Sequence, residues 1–132
     1  MSRATGNDHQ HVVTTINQAI GLAGNDQIVL AVQLLTSLVA EFPGASAAHG
    51  YLAWFLSQIR RDKDAIEHSR VAVCLSQKSE IASLVHFHVL WRAGKRDEAR
   101  DEMRRFLTIR SSDEYLTMIQ AWAPGDGDCQ AE

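Results

Sequence analysis

The sequence predicts an all-α fold, and three observations carry that expectation. Apolar residues fall at helical spacing: Leu34, Leu35, Leu38, Val39 and Phe42 follow i, i+1, i+4, i+5, i+8. Ala65, Ser69, Ala72 and Val73 repeat the step with smaller residues, and Ala99, Met103, Phe106 and Leu107 repeat it again. Between residues 12 and 122 the chain is rich in Ala, Leu, Gln, Arg and Glu, which are good helix formers, and no run of alternating β-branched residues is sustained. The only prolines are Pro43 and Pro124, so little interrupts the helical pattern.

Gly, Pro, Asp and Ser mark where each helix ends. The breaks at "AGND" (23–26), "FPGAS" (42–46), "IRRDK" (59–63), "QKSE" (77–80), "AGKRD" (93–97) and "RSSDE" (110–114) predict seven helices, at 12–24, 27–41, 45–59, 63–76, 79–93, 96–109 and 113–122. Asp113 is placed as an N-cap or first-turn acid of the last helix, and Pro124 follows its end. The ends, 1–11 and 123–132, are expected to be disordered, because a stretch such as "PGDGDCQAE" offers too little apolar surface to offset ordering.

The helices repeat. Ala31, Ala65 and Ala99 stand 34 residues apart, as do Leu22, Leu56 and Leu90, and Val39, Val73 and Leu107 form a third column at the same spacing. The period and layout resemble the tetratricopeptide repeat, a 34-residue helix–turn–helix unit. The resemblance covers about residues 12–122. The family's small residue on the first helix falls on Ala19 and Ala53, with Phe87 in its place in the third unit. Its bulky residue falls on Leu22, Leu56 and Leu90, its second-helix alanine on Ala31, Ala65 and Ala99, and its closing proline on Pro43, replaced by Gln77 and Ser111 later. The early tryptophan is absent, with Thr15, His49 and Ser83 there instead. "AGKRDEAR" (93–100) matches the pattern best. The resemblance implies a right-handed α-solenoid of three hairpins, about 12–45, 46–79 and 80–113, with 113–122 as a capping helix. A lone hairpin leaves an apolar face open, so stacking and a cap are physical requirements as well.

Composition narrows the function. Hydrophobic content of 45% and charged content of 22% are ordinary for a globular chain, and a net charge of −3 does not favour nucleic acid or an anionic membrane as partner. The most apolar run, Ile28 to Ala40, contains Gln, Thr and Ser and is too short to cross a bilayer. The polar start "MSRATGNDHQH" does not read as a secretory signal. Cys74 and Cys129 share no metal or redox spacing, so the chain is read as cytoplasmic, with Cys74 a buried, inert thiol on an apolar helix face.

No catalytic group, metal site or cofactor is expected. His86 and His88 project about 200° apart around a helix and cannot share a ligand. His9 and His11 lie in the polar start, and the histidines are read as loose or superficial. Asp62, Asp64 and Glu67 read as helix-start acids. In 95–110, Asp101 with Arg105 and Asp97 with Arg100 read as pairs on a solvated face, with docking of an acidic partner on Arg104 and Arg105 the sharper alternative.

In the family the first helix of each unit lines a concave groove. Carried over by position, the resemblance places Ile16, Asn17 and Ile20 there in the first unit. Tyr51, Trp54 and Gln58 follow in the second, and Leu84, Val85, His88, Trp91 and Arg92 in the third. Tyr115, Ile119 and Trp122 could extend the face from the cap. The lysines and asparagines with which some members clamp a peptide carboxylate are missing, so the groove reads as apolar and aromatic. That suits a protein or peptide partner presenting an amphipathic helix or apolar segment. Small bacterial secretion chaperones have a similar layout. A homodimer that buries the aromatic face is the alternative, and packing of these residues inside the stack or beneath the last helix would leave no groove.

Overall fold

In the computed structural model, which describes residues 6–122, seven helices follow one another: α1 (Gly6–Gly24), α2 (Ile28–Glu41), α3 (Ser46–Gln58), α4 (Asp62–Leu75), α5 (Glu80–Arg92), α6 (Arg96–Leu107) and α7 (Asp113–Trp122). Sequential helices pack as hairpins, and α1, α3 and α5 also lie side by side, which is the arrangement of a solenoid. The main apolar core runs through the stack, from Ile16 and Ala19 to Phe106 and Tyr115, and Ala72, Val73 and Ala82 form a smaller cluster.

The 34-residue period has a backbone cause. The residues that end the first helix of each hairpin, Asp26, Arg60 and Gly94, all adopt left-handed backbone, with φ of 62°, 64° and 84°. The next amide, on Gln27, Arg61 and Lys95, donates to the carbonyl of Leu22, Leu56 and Leu90, at 2.8, 2.9 and 2.9 Å. This is the Schellman closure, which satisfies carbonyls a helix end would otherwise leave open. The carbonyls of Gln27, Arg61 and Lys95 then accept from the amides of Ala31, Ala65 and Ala99 and start the second helix. Those three alanines have no exposed surface, so each turn starts the second helix with a small residue facing the core.

Two expectations about the helices are corrected. The first helix begins at Gly6, so residues 6–11 are helical instead of a tail; the His11 ring lies 5.9 Å from Phe42, which ties that first part of α1 to the end of α2. Residues 1–5 and 123–132, with Cys129 and Pro124, lie outside the described residues. Cys74 is exposed, because α4 buries Ala65, Ile66, Ser69, Ala72 and Val73 and turns position 74 outward. Of the two roles open to Asp113, it takes that of first-turn acid of α7, and the cap is Ser112: its hydroxyl oxygen accepts from the Tyr115 amide at 3.2 Å and donates to Glu80 at 2.6 Å, linking the starts of α7 and α5.

Two histidines taken as superficial are buried, at 6% exposure for His49 and 8% for His86, because each satisfies a polar contact between helices. The Pro43 carbonyl can only accept, so His49 Nε2–H donates to it at 2.9 Å and leaves Nδ1 to accept from His68 Nδ1–H at 3.1 Å. The Ser69 hydroxyl donates to the Ile66 carbonyl and accepts from His86 Nδ1–H at 2.6 Å, joining α4 to α5. Burial holds His68, His86 and His88 below the usual imidazole value of 6.5, and neighbouring His49 lowers His68 further.

Two predictions follow from the turns and the histidines. Gly94→Ala is expected to lose roughly 1–2 kcal/mol, because no atom lies within 4 Å of the added Cβ and the cost is purely the left-handed backbone. Arg60→Gly is expected to gain about 0.5–1 kcal/mol by the same logic, less glycine's extra unfolded-state entropy. Urea denaturation of both variants checks the pair. Because the three histidines are harder to protonate when folded, the unfolded chain takes up more protons as the pH falls. Their stability contribution is therefore complete above the unfolded value of 6.5 and declines as the pH drops below it. The urea midpoint should fall between about pH 7.5 and about pH 5.5, and His68→Gln should flatten that fall.

Candidate functional site

The concave side of α3 and α5 holds a cleft of ≈ 660 Å³. Ser46, Ala47, Gly50, Tyr51 and Trp54 of α3 form one wall; Ile81, Ala82, Leu84, Val85 and His88 of α5 form the other. Ser76 and Ser79, between α4 and α5, and Glu114 of α7 close one end. The helical step explains the walls: on α3 positions 47, 50, 51 and 54, and on α5 positions 81, 84, 85 and 88, repeat at i, i+3, i+4, i+7. The adjacent faces, with Leu52, Ala53, Phe55 and Leu56 on α3 and Phe87, Val89 and Leu90 on α5, belong to the core.

Small residues make the hollow. Gly50 is buried, yet a Cβ there would meet nothing within 4 Å, and Ala47 and Ala82 are the other small apolar residues of the lining. Large apolar side chains remain on the rim, with Ile81 75% and Tyr51 40% exposed. Trp54 is half-buried; its ring meets the edge of His88 at 6.4 Å, and the Arg92 guanidinium lies 5.9 Å from its centroid. Arg92 also donates to the Ser57 hydroxyl at 3.0 Å, so the cation nearest the tryptophan is engaged within the protein. Glu114 is the single charged side chain in the lining among the described residues.

Beyond the cleft the aromatics serve the cap. Phe87, Trp91 and Trp122 stack, with Trp91 and Trp122 5.3 Å apart and 5° from parallel. Arg96 and Arg100 cover Trp91 at 4.8 and 5.4 Å from its centroid, where cation–π attraction adds to packing. Tyr115 is wholly buried between Phe87 and Phe106, and its hydroxyl meets that of Ser83 at 2.7 Å. Burial pushes the Tyr115 phenol well above its usual value.

No protein-family model and no curated protein matches the chain. Solved structures do. The first TPR of Spaghetti (RPAP3) bound to the HSP90 peptide SRMEEVD is similar with a TM-score of 0.73 at 14% identity, over 85% of this chain and 92% of that one. A mutant of MamA is similar with a TM-score of 0.65 at 17% identity, over 84% of this chain and 78% of that one. The fold is that of a tetratricopeptide-repeat domain. It is an all-α right-handed solenoid of three helical hairpins and a capping helix.

The repeat brings some of the expected groove residues together and separates others. Tyr51, Trp54, Leu84, Val85 and His88 line the cleft. Ile16 does not: it is 7% exposed, within the core, because Thr15, Ile16 and Ala19 form the inward stripe of α1. Asn17 and Ile20 are exposed outside the cleft, as are Gln58 and Arg92. Trp91 and Trp122 lie in the cap stack, and Tyr115 is buried, so the stripe proposed on the last helix faces inward instead of toward the groove. Gly50, Ile81 and Glu114 were missed; the first carries no side chain to notice, and the other two stand at helix starts where turn chemistry draws attention.

The basic segment resolves differently from its spacing. Asp97 does pair with Arg100, but Asp101 pairs with Arg104, and Arg105 makes a two-pronged contact with the buried Glu102 at 2.7 and 2.9 Å. Arg105 and Arg110 also donate to the carbonyls of Gln77 and Lys78. Arg104 and Arg105 are therefore occupied internally, and an acidic partner docking there is not favoured. Among the described residues no group of three or more His, Cys, Asp or Glu side chains could hold a metal ion, and no helix is long and apolar enough to cross a membrane.

This division of the aromatics is testable by stability. Trp91→Ala should cost about 2–3 kcal/mol, since it removes the middle of the stack that seats α7. Tyr51→Ala, on the cleft rim, should cost under about 1 kcal/mol. Urea unfolding that gave equal losses would contradict the assignment.

Proposed function

We propose that the protein is a non-catalytic interaction module, an adaptor or chaperone, that takes an apolar peptide or amphipathic helix of another protein in the cleft between α3 and α5. Gly50 carries this reading. A glycine inside a helix costs about 1 kcal/mol relative to alanine. Here neither a close neighbour nor a left-handed φ calls for it. What it does is keep the cleft floor open. The exposed Ile81 and Tyr51 support the reading, since a hollow rimmed by large apolar groups gains by being covered.

The two similar structures support the architecture, and one of them is named with a bound peptide. That peptide, SRMEEVD, is acidic; the cleft described above has neither Lys nor Arg in its lining, so the ligand class proposed for this chain is apolar. A cytoplasmic setting accords with this role. The same exposed face would also serve a second copy of the chain, which makes homodimerisation the competing reading.

Gly50→Leu separates them. Leucine gains helix propensity, its Cβ meets no atom within 4 Å, and its longer side chain takes up space in the cleft that Gly50 lines. The expected outcome is unchanged circular dichroism and unchanged mass by light scattering, with loss of the peptides that the natural protein selects from a displayed random 12-residue library. If Gly50→Leu or Ile81→Glu instead turns a dimer into a monomer, the cleft is a subunit interface.

A further inference from the structure

We infer that the partner segment carries a basic side chain, Lys or Arg, next to its apolar anchor, and that Glu114 receives it. This deepens the cleft reading and rests on it. The lining of the cleft is apolar or neutral except at one point, Glu114 of α7. Glu114 is exposed and forms no ion pair with another described residue, unlike Asp97, Asp101 and Glu102 on the neighbouring α6, each of which has an arginine. His88, in the same lining, is held below its usual value by burial, which outweighs the opposite pull of Glu114, so it does not neutralise the carboxylate near neutral pH. Neither Lys nor Arg lines the cleft, and Arg92, beside Trp54, is engaged by Ser57. An apolar hollow thus ends in an unmatched negative charge, with aromatic rings of Tyr51 and Trp54 along the same wall. Apolar contact supplies attraction without direction; one charge at one end selects the sign of the ligand and its orientation. An acidic segment entering this cleft would place like charges together, and a purely apolar one would gain nothing from the carboxylate.

The test uses the full chain, immobilised, and a displayed library of random 12-residue peptides. The natural protein should enrich peptides that pair an apolar cluster with Lys or Arg and deplete those with Asp or Glu beside it. For one enriched peptide, Glu114→Gln should weaken binding about threefold to fivefold and remove most of its dependence on salt. Glu114→Lys should shift the enriched set toward acidic peptides. Circular dichroism confirms that each variant is folded; should Glu114→Lys fail to fold, the Gln variant and the salt series decide. If apolar peptides are enriched with no excess of Lys or Arg, or if Glu114→Gln binds equally well, the charge assignment is wrong while the cleft reading stands. If no peptide is enriched, or Gly50→Leu enriches the same set as the natural protein, both are wrong.

Discussion

Ala31, Ala65 and Ala99 have no exposed surface, and the rest of the stack is placed by how closely the helices around them approach. Helices packed through large side chains sit about 8–10 Å apart, and a methyl group lets them come to the near end of that range. Each alanine is also the residue whose amide closes on the turn carbonyl four positions earlier, so the end of one helix and a fully buried position of the next are fixed by the same few atoms. Repeating that unit every 34 residues repeats the angle between helices, and a regular superhelix with a concave side results. The cleft depends on this regularity, because α3 and α5 must lie side by side for Tyr51 and Trp54 to oppose Leu84 and Val85.

At the end of the stack the rule changes. Phe87 stands where Ala19 and Ala53 stand in the earlier hairpins, and the ring packs against Trp91, Tyr115 and Trp122. A lone helix has no second helix behind it to complete its burial, so large rings fill the space between α7 and the third hairpin. Two of the three tryptophans are used in this way, with the arginines of α6 covering them. Trp54 is left to the cleft. The cap therefore decides which aromatic side chains a ligand can reach, and it brings Glu114 to the cleft mouth through the bond from Ser112 to Glu80.

Polar contacts hold the walls of the cleft in register. Apolar packing tolerates small shifts between helices, whereas a buried hydrogen bond does not, because a displaced donor or acceptor loses its partner without regaining water. His86 with Ser69 sets α5 against α4, and Ser83 with Tyr115 sets α7 against α5. Arg105, braced by the buried Glu102, holds the Gln77 carbonyl in the connection that leads to Ser79, itself part of the lining and the N-cap of α5. The basic run of α6 thus acts on the cleft from behind, as a brace for the segment at its end.

Seven helices, their order and the 34-residue period were legible in the chain, because helix ends and apolar spacing are local properties. So was the membership of the inward columns: Ala53, Leu56, Ala65, Leu90 and Ala99 are all buried. Tyr51, Trp54 and His88 could be placed on one face by counting residues around a helix. Counting alone left undecided which residues on such a face stay open, as Ile16 and Trp91 demonstrate. Ile16 is buried because α1 has its own inward stripe, and Trp91 is partly covered because Trp122, more than thirty positions away, lies on it. Nor could spacing pair His49 with His68 or assign Arg105 to Glu102 over Asp101. Helical periodicity by itself determined direction around each helix. Which neighbour waits in that direction was decided only when the hairpins stacked, since burial and hydrogen bonding are properties of two surfaces and the chain specifies one of them at a time.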